Sequence, residues 1–166
     1  MSPSVGMSST SFSLQYQTTT GTLGTSSQKI RVTNSTPAPQ WSVTLAATSG
    51  PTTLWSAGTP KYDFNDPTAS ALDGGDSDGY GGQLTVNPSV GTLTPQSGCT
   101  NTGVSKGSSS AFSEGVTNSI TLVSSSGSAQ TNCYWDFTGI TLSQDIPQEQ
   151  TVASYALDMT LTITAI

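Results

Sequence analysis

The densest group of ionisable side chains is an aspartate-rich stretch between residues 63 and 78, which holds five of the ten acidic residues of the chain. Part of it is a glycine-rich run with the sequence DGGDSDGYGG. Carboxylate oxygens at short spacing, with glycine allowing the backbone to wrap around an ion, are typical of calcium loops. An ordinary solvated acidic loop is the alternative, because Asp and Gly favour turns in any case. Calcium is the one cofactor predicted, with candidate ligands Asp63, Asp66, Asp73, Asp76 and Asp78.

The second reactive group is the pair of cysteines, Cys99 and Cys133. The chain is rich in Ser, Thr and Gly and poor in Lys, a composition typical of extracellular proteins, so we predict a disulfide and not two free thiols. Cys133 alternates in phase with Trp135 and Phe137, which places it against the core. Cys99 lies in a turn-rich stretch, so the bridge is expected to tie a loop or strand edge to an inner strand.

Aromatic side chains offer a third kind of chemistry, because their flat faces can stack on sugar rings while their polar atoms form hydrogen bonds. Candidate stacking residues are Trp55, Tyr62 and Tyr80. Trp55 precedes the turn at residues 58–60, which favours its exposure, although core packing is the commoner role of a tryptophan. A carbohydrate-binding module is therefore one alternative function.

Catalytic constellations are missing from the sequence. The chain contains no His, which excludes Ser-His-Asp and Cys-His sites. Ser26 and Lys29 match a Ser-x-x-Lys motif, but neither a Lys-Thr-Gly nor a Ser-Asp-Asn partner is present. We therefore predict that the protein is not an enzyme.

Composition limits the partners further. With 4 Lys and Arg residues against 10 acidic ones, the net charge of −6 argues against nucleic-acid binding, which needs clustered cations. No apolar run reaches the roughly 18 residues of a membrane span, so no membrane insertion is expected.

The length of 166 residues predicts a single domain over 1–166, with residues 1–10 as a candidate flexible start.

Apolar and polar residues alternate with a period of two in several short runs separated by Gly, Pro, Asn and Ser. This pattern indicates β-strands, and no helical periodicity longer than two turns occurs. We predict an all-β protein, an antiparallel β-sandwich of about eight to ten short strands with an Ig-like or jelly-roll-like arrangement. The clearest runs cover residues 12–16, 29–34, 41–47, 82–88, 120–122, 133–137 and 155–164.

The last run, residues 155–164, predicts a half-buried strand, and we expect its loss to destabilise the fold more than the loss of any other strand. Its polar face carries Ala156, Asp158 and a series of threonines. Its apolar face, which we expect to point into the core, consists of Tyr155, Leu157, Met159, Leu161 and Ile163.

This carboxy-terminal stretch also resembles the terminal strand of WxL-type bacterial surface domains, whose pattern there is Tyr-x-x-x-Trp-x-Leu. Tyr155 and Leu161 fit that pattern, and Met159 stands at the Trp position. The upstream Trp-x-Leu has two counterparts, beginning at Trp41 and Trp135, in which the third residue is Val or Phe. The resemblance implies a secreted domain that attaches non-covalently to the cell wall or assembles at the surface.

Together these features predict a non-enzymatic extracellular domain of a bacterial cell envelope, for cell-wall association, adhesion or surface assembly. The expected partners are cell-wall polysaccharide, peptidoglycan or other surface proteins. A self-associating, pilin-like filament subunit is the alternative, in which the strand at residues 12–16 leaves its own domain and completes the sheet of a neighbour.

Overall fold

The computed structural model describes residues 4–67 and 78–166, and its architecture is all-β, as predicted. Four of its fourteen strands have only two residues, and the ten longer ones agree with the expected number. The strands are β1 (Gln17–Leu23), β2 (Ile30–Asn34), β3 (Trp41–Ala47), β4 (Trp55–Ser56), β5 (Lys61–Tyr62), β6 (Asn65–Asp66), β7 (Gly82–Asn87), β8 (Thr92–Pro95), β9 (Val104–Lys106), β10 (Ser110–Ala111), β11 (Ile120–Ser125), β12 (Cys133–Thr138), β13 (Ile140–Ile146) and β14 (Met159–Ala165).

All strand pairings in the described residues are antiparallel. One layer consists of β14–β3–β11–β9. The other is built from two sheets, β1–β13–β7–β10 and β2–β12–β8, and β6 pairs with β7. These two sheets form one layer, because the chain passes from a strand of one sheet to a strand of the other three times. It does so from β1 to β2, from β7 to β8 and from β12 to β13. The Trp41 ring of β3 packs on the Trp135 ring of β12 at 5.5 Å between centroids, which joins the two layers.

The passage from β1 to β2 depends on Gly24. Its φ of +81° lies in the left-handed region, and a Cβ there would meet the carbonyl oxygen of Phe137 at 2.8 Å. Its own carbonyl accepts a hydrogen bond from the N–H of Gly139, at 2.7 Å, where β12 passes into β13. Glycine therefore lets the paired strands bend together at this point.

The core is continuous and rich in large side chains. Trp135, Phe64, Phe112, Phe137 and Leu122 are almost fully buried. No helix in the part of the chain that the structure describes is long and apolar enough to cross a membrane.

The predicted disulfide is confirmed between Cys99 and Cys133, which lie 34 residues apart. Cys133 is buried and begins β12, the central strand between β2 and β8. Cys99 is partly exposed in the turn that follows β8. The bridge thus ties a loop to an inner strand, as its sequence context predicted.

The carboxy-terminal strand differs from the prediction. It begins at Met159 and lies at the edge of its sheet, paired only with β3 among the described residues. Leu161 and Ile163 face the same side as Leu45 and Val43, their register partners, so the predicted phase is correct. Their predicted burial is wrong, because 42% and 57% of their surfaces are exposed. The edge position leaves them without the cover that their partners on β3 receive.

The expected strand at residues 12–16 is also absent. Residues 11–16 are irregular, and the first strand begins one residue later, at Gln17. Phe12 and Leu14 are exposed at 56% and 64%. The inner face of β1 carries Thr19, which is buried and donates its hydroxyl to the carbonyl of Ser8.

Candidate functional site

Two of the predicted calcium ligands, Asp63 and Asp66, are buried with 1% of their surfaces exposed. The Oδ1 atom of Asp63 accepts hydrogen bonds from the backbone N–H groups of Phe64, at 2.5 Å, and Asn65, at 3.2 Å. These contacts shape the turn that leads into β6. In the structure Asp63 therefore serves the local backbone conformation.

Asp73 and Asp76 lie outside the described residues. Asp78 is exposed, and its Oδ1 accepts the N–H of Tyr80 at 2.8 Å. Among residues 4–67 and 78–166 there is no group of three or more acidic or Cys side chains arranged to hold a metal ion. The calcium loop stays a prediction.

Two of the three aromatic candidates, Trp55 and Tyr62, lie together, whereas Tyr80 is partly exposed just before β7 and has no ring contact with them. The Trp55 ring stacks on the ring of Tyr62 at 5.9 Å between centroids and 14° between planes, and Tyr62 meets Tyr155 edge-on at 4.8 Å. Trp55 is half-buried, and its indole N–H donates to Oε1 of the buried Gln144 at 2.8 Å. Tyr62 is 5% exposed, and burial raises its pKa well above the ordinary value. Sequence reasoning missed the role of Tyr155, because it was assigned to the carboxy-terminal strand.

A charged cluster on β12 and β2 was also missed. Asp136 faces away from Trp135 but is covered by two cations. Its carboxylate accepts two hydrogen bonds from Arg31, at 2.6 and 2.8 Å, and one from Lys29 at 3.1 Å. The Arg31 guanidinium also lies 4.1 Å from the ring centroid of Tyr134. The hydrogen bonds from Arg31 outweigh desolvation and lower the pKa of Asp136 to about 2.

This cluster predicts a specific acid sensitivity. Because the pKa of Asp136 is lower in the folded state than the value of about 3.9 in an unfolded chain, the unfolded state takes up a proton first as pH falls. The stabilisation is present above about pH 4 and is lost towards pH 2. In Asp136→Asn we expect a shallower fall of the melting temperature over this interval, followed by circular dichroism. The same slope in wild type and variant would contradict this assignment.

The strand β14 forms a long, uncharged edge of its sheet. The N–H of Ile166 donates to the carbonyl of Gln40 at 3.1 Å, and the carbonyl of Asp158 accepts the N–H of Thr48 at 2.9 Å. Hydrogen-bonded pairs alternate with non-bonded pairs in an antiparallel ladder. The even-numbered residues of β14 therefore bond to β3, and the odd-numbered ones direct their N–H and C=O groups to the open side.

Beside this edge lies a groove of about 1110 Å³, which we call the edge groove. It is lined by residues of both β14 and β2, which are the edge strands of the two layers. Core residues of β3 and β7 form part of its lining, so the groove reaches the hydrophobic interior. Its apolar residues include Val32, Val43, Leu45, Leu84, Leu161 and Ile163.

Comparison with known proteins finds no family model that matches this chain, and neither curated proteins nor solved structures give a match. The resemblance to WxL-type domains therefore stays a prediction.

Proposed function

We propose that this chain is a non-enzymatic structural domain of a bacterial cell surface, which assembles with copies of itself through the open edge of β14. The observation that carries the proposal is the character of that edge. Natural edge strands are protected by charged side chains, Pro, bulges or short length. β14 has seven residues, none of them charged or Pro, and it presents Leu161 and Ile163 beside a largely apolar groove, whose lining also includes Lys29, Arg31 and Asp158.

Two further observations support a location outside the cell. The disulfide between Cys99 and Cys133 is of a kind that persists in oxidising compartments. The Ser-, Thr- and Gly-rich composition gives the domain polar faces with few charges.

A filament built by strand donation is the second candidate function, and the amino-terminal segment favours it. Phe12, Leu14 and Tyr16 alternate with polar residues and are 56%, 64% and 39% exposed. Period-two apolar side chains suit a strand that lays one face into an apolar groove while its backbone pairs with an open edge. The segment from one copy would then fill the edge groove of the next copy.

The alternation of hydrogen bonds along β14 provides a test of edge pairing. Ile163→Pro removes an N–H that points to the open side, so we expect the fold to persist and self-association to be lost. Thr162→Pro removes an N–H bonded to β3, so we expect it to lower the free energy of unfolding by at least about 1 kcal/mol. Light scattering after size-exclusion chromatography measures association, and urea titration measures stability.

The exposed residue Val116 offers a control for the loss of an apolar side chain, because Val116→Ser changes a loop residue that is 83% exposed and keeps the N–H that donates to the carbonyl of Ser113. That variant is expected to associate like the wild type.

Loss of assembly in Phe12→Ser/Leu14→Ser would select strand donation over direct pairing of two β14 edges. A wild-type protein that stays monomeric up to millimolar concentration would overturn both forms of the proposal.

A further inference from the structure

A second cavity adjoins the edge groove and lies between the amino-terminal segment and the loop that follows β13; Trp55 and Tyr155 border both cavities. Its volume is about 620 Å³, within the range of roughly 300–1,000 Å³ that is usual for small-molecule sites. The rings of Trp55, Tyr62 and Tyr155 form part of its wall. We call it the aromatic pocket.

The three rings form one packed unit. Tyr62 lies between Trp55, on which it stacks, and Tyr155, which it meets edge-on. Trp55 and Tyr155 are both partly exposed, whereas Tyr62 is buried behind them. Hydrogen bonds fix the outer two, because Trp55 donates to Gln144 and Tyr155 donates its hydroxyl to the carbonyl of Thr151 at 2.6 Å. The pocket therefore offers rigid aromatic surface to a ligand.

The remainder of the lining is uncharged and combines polar side chains with apolar ones such as Met7, Ile146 and Val152. Serine, threonine and glutamine side chains dominate it, among them Ser9, Ser11, Gln150 and Ser154. None of the described residues that line the pocket is Lys, Arg, Asp or Glu. Such groups can donate and accept hydrogen bonds but offer a charged ligand no counter-charge.

The amino-terminal segment forms the first wall of the pocket, and the loop after β13 forms the second. Hydrogen bonds fix these two walls to each other and to the sheets. The N–H of Ser8 donates to the carbonyl of Thr20 at 2.7 Å, which ties the first wall to β1. The N–H of Glu149 donates to the carbonyl of Ser13 at 2.8 Å, which ties the second wall to the first. A site that is formed before binding loses little ordering entropy when a ligand enters.

We propose that the aromatic pocket binds a neutral oligosaccharide. A sugar ring has an apolar C–H face that stacks on Trp55 or Tyr155 and a rim of hydroxyl groups that matches the Ser, Thr and Gln side chains. A charged ligand would lack a counter-charge, and a purely apolar one would leave buried hydroxyl groups without partners. This inference does not require edge assembly, because Tyr62 and Gln150 line this cavity and not the edge groove, although Trp55 and Tyr155 border both.

The test uses the full chain and a panel of hexasaccharides. The neutral set contains glucan, mannan, xylan and chitin oligomers, and the anionic set contains oligogalacturonate and hyaluronan. Binding is followed by saturation-transfer NMR and by tryptophan emission. Trp55 is the reporter, since Trp41 and Trp135 are only 3% and 0% exposed. We expect a neutral oligomer to bind, and every anionic one to bind at least about tenfold more weakly.

Variants locate the binding site. Tyr155→Ala and Gln150→Ala should each weaken the affinity about tenfold or more, whereas Tyr80→Ala removes a tyrosine outside the pocket lining and should not change it. Gln150 lines the aromatic pocket but not the edge groove, and Ile163 lines only the groove. Ile163→Pro should therefore keep full affinity even where it abolishes assembly. Failure of all neutral oligomers to bind, equal binding of anionic ones, or unchanged affinity in folded Gln150→Ala would each overturn the proposal.

Discussion

Replacement of Cys99 and Cys133 by alanine is expected to lower the free energy of unfolding by about 3.8 kcal/mol. The two cysteines are 34 residues apart in the sequence, and closing a loop of this length in the unfolded chain accounts for that value. A domain of this size has a total stability of only about 5–15 kcal/mol. The bridge therefore supplies a large share of what holds the sandwich together, and the loop it closes contains β9, β10 and β11.

Urea unfolding of the double variant, followed by circular dichroism, measures this effect. Alanine is preferred to serine because Cys133 is 5% exposed and a hydroxyl there would be buried. Dithiothreitol should shift the wild-type curve onto that of the double variant and leave the variant itself unchanged. Superimposable curves for oxidised wild type and double variant would show that the bridge contributes nothing.

The strands that sequence reasoning located share one property, an inner face that is apolar throughout. β3 is the clearest example, with Trp41, Val43, Leu45 and Ala47 all buried and in phase. β13 was missed because its inner face combines Ile140 and Leu142 with Gln144, a polar residue. Gln144 is fully buried only because Trp55 and two carbonyl groups satisfy its amide. Such a partner set depends on tertiary structure, so the alternation alone cannot reveal it.

The candidate surfaces were harder to predict than the strands. Alternation assigns Leu161 to the inner face of its sheet, but whether the opposite layer extends far enough to cover it depends on strand order. The aromatic pocket poses the same problem, since Trp55 and Tyr155 are distant in sequence and meet only through Tyr62. Sequence spacing therefore identified two of the three rings and not their association.

The contrast between core and edge gives the second large expected effect. Leu122 of β11 is completely buried, and Leu122→Ala should lower the free energy of unfolding by about 2–5 kcal/mol. The cost is this large because the close-packed surroundings cannot collapse around the missing atoms. Leu161→Ala removes the same atoms from a site that is 42% exposed, and there we expect less than about 1 kcal/mol.

The measurement is chemical denaturation of the two variants at a concentration where the protein is monomeric. Equal losses in dilute solution would mean that Leu161 is covered within one chain, which would contradict the open edge of β14. At higher protein concentration both proposals about this edge predict a larger effect of Leu161→Ala, because self-association stabilises the folded state by mass action. The cost of Leu161→Ala should then rise with protein concentration while that of Leu122→Ala stays constant. A side chain that gains importance only when copies meet belongs to an interface, and this dependence separates such a residue from one in the core.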